Sequence, residues 1–93
     1  MRYEWDEAKR QQNLVKHGLD FVHAVAVLEH PDLLLIADNR RDYGETRLIG
    51  FGPLTGRIHV VVHVARTAGC IRIVSFRKAN HREVRFYEQN AQN

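Results

Sequence analysis

The sequence predicts an α+β domain in the order β-α-α-β-β-β-β-α, an antiparallel meander sheet packed on two N-terminal helices, with a last helix closing the chain. Three observations point there. Helix-start and helix-stop residues bracket two apolar-periodic stretches between Asp6 and Pro31. From Leu33 to Arg77 the apolar residues come in short runs rich in β-branched side chains, separated by Gly, Pro and Asp. Asn80-His81-Arg82-Glu83 then has the spacing of a capping box. Short connections between successive strands favour antiparallel neighbours.

Each element has a local reason. Arg2 to Glu4 reads as a short strand. Asp6 is a helix N-cap, because its carboxylate can accept the unpaired amide hydrogens of a first turn. Trp5 stands where a side chain often packs back on that turn. The helix Glu7 to His17 carries Ala8, Leu14 and Val15 as a thin apolar stripe, and Gly18 ends it as a left-handed cap. Asp20 caps a second helix, in which Phe21, Ala24, Val25 and Leu28 follow at helical spacing until His30-Pro31 stops it. Leu33 to Ala37 is a strand. Asp38 to Gly44 is a polar loop holding Arg40 and Arg41, and Thr46 to Phe51 is the next strand. Gly52 to Gly56 turns it into the strand Arg57 to Arg66. Thr67-Ala68-Gly69 is the next turn, followed by the strand Cys70 to Arg77. The last helix runs from about His81 to Gln89, and Asn90 to Asn93 fray.

The 93 residues suffice for one domain with a modest core. With 44 % hydrophobic and 27 % charged residues the chain is ordinary for a globular protein rather than a disordered one. One cysteine, Cys70, excludes an internal disulfide and a multi-cysteine zinc site. The N-terminus lacks an apolar signal core, and the longest apolar runs, Ala24 to Leu28 and Leu33 to Ala37, are far too short to span a bilayer. These features point to the cytoplasm. Charge is uneven: residues 1–56 hold seven Lys/Arg against nine Asp/Glu, and residues 57–93 hold seven against two. The bland reading of that bias is a solvated face; the functional one is a side that meets phosphate.

The densest stretch is Arg57 to Lys78, two runs rich in β-branched residues around Thr67-Ala68-Gly69. With the turn centred on Ala68-Gly69, Arg66 opposes Ile71, Val64 opposes Ile73, Val62 opposes Ser75 and Val60 opposes Arg77. Alternation then places Arg66, Ser75 and Arg77 on one face with Val60, Val62, Val64, Ile71 and Ile73. His59, His63, Arg72, Val74 and Phe76 fall on the other. A one-residue bulge would exchange these assignments. His59 and His63 lie about 13 Å apart on a strand, too far to share a metal ion, and read as surface or partly packed histidines. No phosphate loop, dinucleotide glycine pattern or Gly-x-Ser-x-Gly elbow occurs. Ser75 between arginines therefore reads as a donor to phosphate. His17 reads either as a helix-end residue or as a general acid or phosphate contact. Glu83 reads as a capping-box residue or a general base.

Arg66, Arg72, Arg77 and Lys78 carry the most weight. Arginine forks match phosphate oxygens and can stabilise a pentacoordinate phosphorane. RNA supplies its own nucleophile, the 2′-hydroxyl, so a basic sheet with a proton-transfer group nearby suffices in principle. A non-catalytic RNA-binding surface would look similar, but base stacking wants exposed aromatics in a stacking pattern, which Tyr3, Tyr43, Phe76 and Tyr87 do not form.

These residues also carry a family likeness. Glu4-Trp5-Asp6-Glu7, Lys9, Asn13, Lys16-His17-Gly18 and Phe21 resemble the start of the BrnT family of type II toxins. Glu45-x-Arg47, Val61-Val62-His63-Val64-Ala65-Arg66, Ile71-Arg72-Ile73-Val74-Ser75-x-Arg77-Lys78-Ala79, Arg82-Glu83 and Tyr87 resemble its second half, in order and over nearly the whole chain. The resemblance implies a RelE-like fold and a small metal-independent endoribonuclease without cofactor that inhibits translation. It also implies a ribbon-helix-helix antitoxin, BrnA-like, in a two-to-two complex that reaches operator DNA through the antitoxin. Carried over by residue type and position, Arg66, Ser75, Arg77 and Lys78 are the candidate catalytic residues, with His63, Arg72 and Tyr87 behind them. Two departures from the family pattern, Phe76 where a small residue is expected and the less polar turn before Cys70, favour an alternative: a non-catalytic homologue acting only as an antitoxin-binding co-repressor module.

Overall fold

The computed structural model describes residues 1–66 and 69–91. Its elements are β1 (Arg2–Trp5), α1 (Glu7–His17), α2 (Phe21–Leu28), β2 (Leu34–Ala37), β3 (Arg47–Leu54), β4 (Arg57–Ala65), β5 (Cys70–Lys78) and α3 (His81–Asn90). The order is the expected one. The caps explain the boundaries. Asp6 accepts from the Lys9 amide at 3.2 Å, and Gly18 closes α1 in the left-handed region at φ 69°. Asp20 accepts from Val22, and its carboxylate also receives both ends of the Arg10 fork at 2.8 Å, tying α1 to the start of α2. Asn80 and Glu83 form the reciprocal capping box of α3. The frayed tail expected from Asn90 falls partly on residues 92–93, outside the described residues.

The sheet runs β1-β5-β4-β3-β2. β2 to β5 form the antiparallel meander, while β1 joins β5 in parallel, Arg2 beside Cys70 through Trp5 beside Ile73. The turn between β3 and β4 is shorter than the sequence suggests. β3 continues through Gly52-Pro53 to Leu54, and Thr55 (φ 49°) and Gly56 (φ 76°) alone reverse the chain. Two successive positive φ angles fit the tight hairpin geometry that follows strand twist. Pro53 is tolerated because it lies beyond Phe51, the last β3 residue paired with β2. The turn expected at Thr67-Ala68-Gly69 falls mostly on residues 67–68, outside the described residues.

Helices cover both faces. Phe21, Ala24, Val27 and Leu28 of α2 pack on Val61, Ile73 and Phe76. Trp5 packs edge-on against Phe21, with ring centroids 6.2 Å apart, rather than back on α1. Gly50 and Gly52 admit this helix: a Cβ on Gly52 would lie 3.1 Å from a Val27 methyl and 3.3 Å from the Val27 carbonyl oxygen. On the opposite face Phe51 and Val60 meet Ala79 and Tyr87, the latter on α3.

The apolar stripe expected on α1 is corrected. Val15 is 89 % exposed and Ala8 is exposed, whereas the buried residue is Asn13. Its amide accepts from the Phe76 N–H at 3.1 Å and donates to the Phe76 and Leu19 carbonyls at 2.8 and 2.9 Å. β1 ends opposite Ile73, so the outer edge of β5 beyond it has no strand partner. Asn13 supplies there the donor and acceptor that a strand would have supplied.

Candidate functional site

The working face is set by the β4–β5 register. Val60 pairs with Arg77 and Val62 with Ser75, as the sequence predicts. A bulge between Val62 and His63 leaves Val74 as the extra residue, so His63 pairs with Ile73 and Val64 with Arg72. This corrects two assignments. Ile71 and Ile73 turn to the helix side with Val61, and Arg72 turns to the opposite side. Arg72, Ser75 and Arg77 thus share a face through the bulge.

That face forms three cross-strand rows. The first is Arg47, Val64, Arg72 and Glu4; the second Ile49, Val62 and Ser75; the third Phe51, Val60 and Arg77. Strand spacing puts Arg47 and Arg72 roughly 10 Å apart at the backbone, about the reach of two arginines closing on one phosphodiester strand. α3 packs over Phe51 and Val60 of the third row.

The arginines differ in what holds them. Arg66 Nε lies 3.5 Å and Arg72 Nη1 3.7 Å from the same Glu4 oxygen, with Arg66 46 % and Arg72 33 % exposed. The Cys70 thiol also donates to Glu4, at 3.4 Å. One carboxylate shared at such distances leaves excess positive charge, and partly exposed pairs of this kind exchange readily for phosphate. Arg77 is bound more firmly. Its Nη1 and Nη2 each donate to a Glu83 oxygen at 2.7 Å, holding the Glu83 carboxyl below its usual range. Glu83 therefore completes the capping box and orients Arg77. Arg40, from the loop after β2, lies close enough to oppose the Arg77 charge.

Other predicted residues lie elsewhere. Lys78 pairs with His59 and falls on the opposite face, exposed. His63 is 2 % exposed on the helix side, its Nδ1 3.2 Å from the Val61 carbonyl oxygen. His59 is 3 % exposed and lies 5.5 Å from the Phe76 ring, so both histidines are core residues rather than surface ones. Burial holds both imidazoles below their ordinary value. Tyr87 is buried, and its hydroxyl donates to the Asp32 carbonyl at 2.8 Å. Phe76 is fully buried in the α2-side core, away from Ser75 and Arg77, so it does not narrow their face. Among the described residues no three His, Cys, Asp or Glu side chains gather as a metal site.

Two further groups border this face: Arg47, which the sequence showed only within the family pattern, and the surroundings of His17, which the sequence offered as a helix-end residue or as a general acid or phosphate contact. The Arg47 guanidinium carbon lies 3.9 Å from the Tyr43 ring centroid and its Nε is buried without a hydrogen-bond partner. The signal was present in Glu45-x-Arg47, at the entry to β3. At the other edge, where α1 replaces β1 beside β5, a cleft of about 200 Å³ is lined by Lys9, Lys16 and His17 together with Val74 and Ser75. Chemically, the arrangement offers several cationic forks, a hydroxyl and an imidazole around one end of a sheet.

A family model described as the ribonuclease toxin BrnT of type II toxin–antitoxin systems matches residues 5–83. The chain is also similar to the crystal structure of the Brucella abortus ribonuclease toxin BrnT, with a TM-score of 0.67 and 31 % identity, covering 87 % of this chain and 99 % of that one. No curated protein sequence matches it. The α+β expectation and the family resemblance agree with both matches, and the chain belongs to the BrnT family of ribonuclease toxins of type II toxin–antitoxin systems.

Proposed function

We propose that the chain is a metal-independent endoribonuclease that cuts RNA by attack of its own 2′-hydroxyl and so inhibits translation. The observation that carries this reading is the convergence of Arg66, Arg72, Ser75 and Arg77 on one sheet face, with Arg47 across Val64. RNA binds there through its phosphates. Arg66 and Arg72 give up Glu4 for the strand, and Arg77, aimed by Glu83, faces the charge that builds on phosphorus. Cationic side chains then supply the stabilisation that a metal ion supplies in other nucleases. His63, Lys78 and Tyr87 take no direct part in this reading, because they sit in the core, on the opposite face and on the buried side of α3.

The partner that restrains the activity is a ribbon-helix-helix antitoxin, which is a two-fold dimer and so favours a two-to-two complex. That complex reaches operator DNA through the antitoxin. Among the described residues no helix is long and apolar enough to cross a membrane, compatible with action in the cytoplasm. The test is induction of the chain in growing bacteria without an antitoxin. Growth stops, bulk RNA is cut, and co-expressed antitoxin restores both. Arrest with intact RNA would overturn the ribonuclease reading.

A further inference from the structure

The cleft between α1 and β5 is a second feature of the same end of the sheet. It exists because β1 stops opposite Ile73 while β5 runs on to Lys78, and because the bulge at Val74 places Val74 and Ser75 at that outer edge. Lys9, Asn13, Lys16 and His17 stand on one side of α1 at helical spacing. The Asn13 amide is consumed by Phe76 and Leu19, which fixes the floor. The polar side chains left facing the cleft are cationic or neutral, and no carboxylate lines it. The nearby acids are engaged elsewhere: Asp20 with Arg10, and Glu83 with Arg77. Ser75 belongs both to this cleft and to the arginine face, so the two are continuous at that residue.

We propose that the scissile phosphodiester of RNA sits at this junction, with the His17 imidazole accepting the 2′-hydroxyl proton, Ser75 donating to a non-bridging oxygen, and Lys9 and Lys16 guiding the strand along α1. The proposal rests on the ribonuclease reading above and names its proton acceptor. As the proton passes to His17, the 2′-oxygen bonds to phosphorus. The bond from phosphorus to the 5′-oxygen breaks, and that oxygen leaves with the electron pair and takes a proton from water. The products are a 2′,3′-cyclic phosphate and a 5′-hydroxyl end. His17 suits the task because burial, with Lys16 and Arg77 beside it, holds its pKa below the ordinary 6.5, so the ring is neutral at physiological pH. Lys9, Gln12 and Lys16 on its own helix, with Ser75 and Arg77 on β5, are the charged and polar groups around it besides the already bonded Asn13.

The test is cleavage of a labelled single-stranded RNA by the purified chain in EDTA, followed against pH. In the wild type, kcat falls as pH drops through the His17 titration. His17→Gln lowers kcat by about 100-fold or more, leaves KM within a few-fold, and removes that acid limb. Lys9→Ala with Lys16→Ala raises KM and flattens its salt dependence. A second measurement uses the unaltered chain: with a non-cleavable 2′-deoxy analogue, the His17 ring resonances shift while those of exposed His23 stay. A wild type that cuts RNA while His17→Gln keeps its rate and acid limb, or silent His17 resonances on analogue binding, overturns the His17 assignment alone. A wild type that leaves RNA intact overturns both readings.

Discussion

Replacing Asn13 by Ala removes the side chain that closes the open edge of β5. Asn13 is 6 % exposed and makes three hydrogen bonds, to the N–H and carbonyl of Phe76 and to the Leu19 carbonyl. The Phe76 amide hydrogen is the costliest loss, because a buried donor left unpaired costs about 1–3 kcal/mol. Each carbonyl that loses a bond adds about 0.5–1.5 kcal/mol. The better helix propensity of Ala returns up to about 0.7 kcal/mol. The net destabilisation is therefore about 1–5 kcal/mol, against the roughly 5–15 kcal/mol that holds an ordinary small domain together. Urea unfolding followed by tryptophan fluorescence reads it through Trp5, which packs on Phe21 in the same core. The midpoint should drop at an unchanged slope, and the melting temperature should fall by roughly 5–25 °C. Asn13→Asp should be no better, since it keeps the acceptor but sets a negative charge against two carbonyl oxygens. A stability loss below about 0.5 kcal/mol for Asn13→Ala would refute the edge-pairing role.

Other outcomes follow from particular contacts. Gly52→Ala pushes a methyl into the Val27 backbone and should cost about 1–3 kcal/mol, read by denaturant unfolding. Arg66→Ala should lower RNA cleavage while leaving the melting temperature nearly unchanged, because its pair with Glu4 is long and exposed. Glu83→Gln weakens both the capping box and the clamp on Arg77, so thermal melts should show a loss of about 1 kcal/mol alongside reduced cleavage. His59 and His63 are held neutral by burial, whereas in the unfolded chain they take up protons below about 6.5. Their contribution is complete above that value and is lost as pH falls through the lower folded-state pKa values. Melting temperature should accordingly fall on acidification below about pH 6.5, and His63→Gln should flatten the slope.

The helix boundaries and element order were legible because they are written in local chemistry: Asp6, Gly18, Asp20 and the Asn80–Glu83 box each act within a turn of where they stand. Features that depend on distant chain were not. The parallel pairing of β1 with β5 joins the first residues to the seventies, and no local signal specifies it. Asn13 reads as one more polar helix residue until β5 is placed beside it. Gly52-Pro53 looks like a turn, yet both residues lie within a strand whose glycine admits α2. The site was legible by residue type more than by position. Arg66, Ser75 and Arg77 were assigned to one face with the correct pairing for the last two, while the bulge at Val74 reversed Arg72, Ile71 and Ile73. Arg47 and Lys16-His17 stood within the family pattern, but their place beside the site needed the sheet order.

The most direct measurement compares two RNA oligonucleotides of one sequence, in EDTA, with and without a 2′-deoxy substitution at the cleaved position. The ribose form should yield a 2′,3′-cyclic phosphate and a 5′-hydroxyl end, and the deoxy form should stay intact. Cleavage of the deoxy form at the same rate, or cleavage that appears only when a divalent metal is restored, would contradict a basic sheet face acting on a nucleophile that the RNA itself provides.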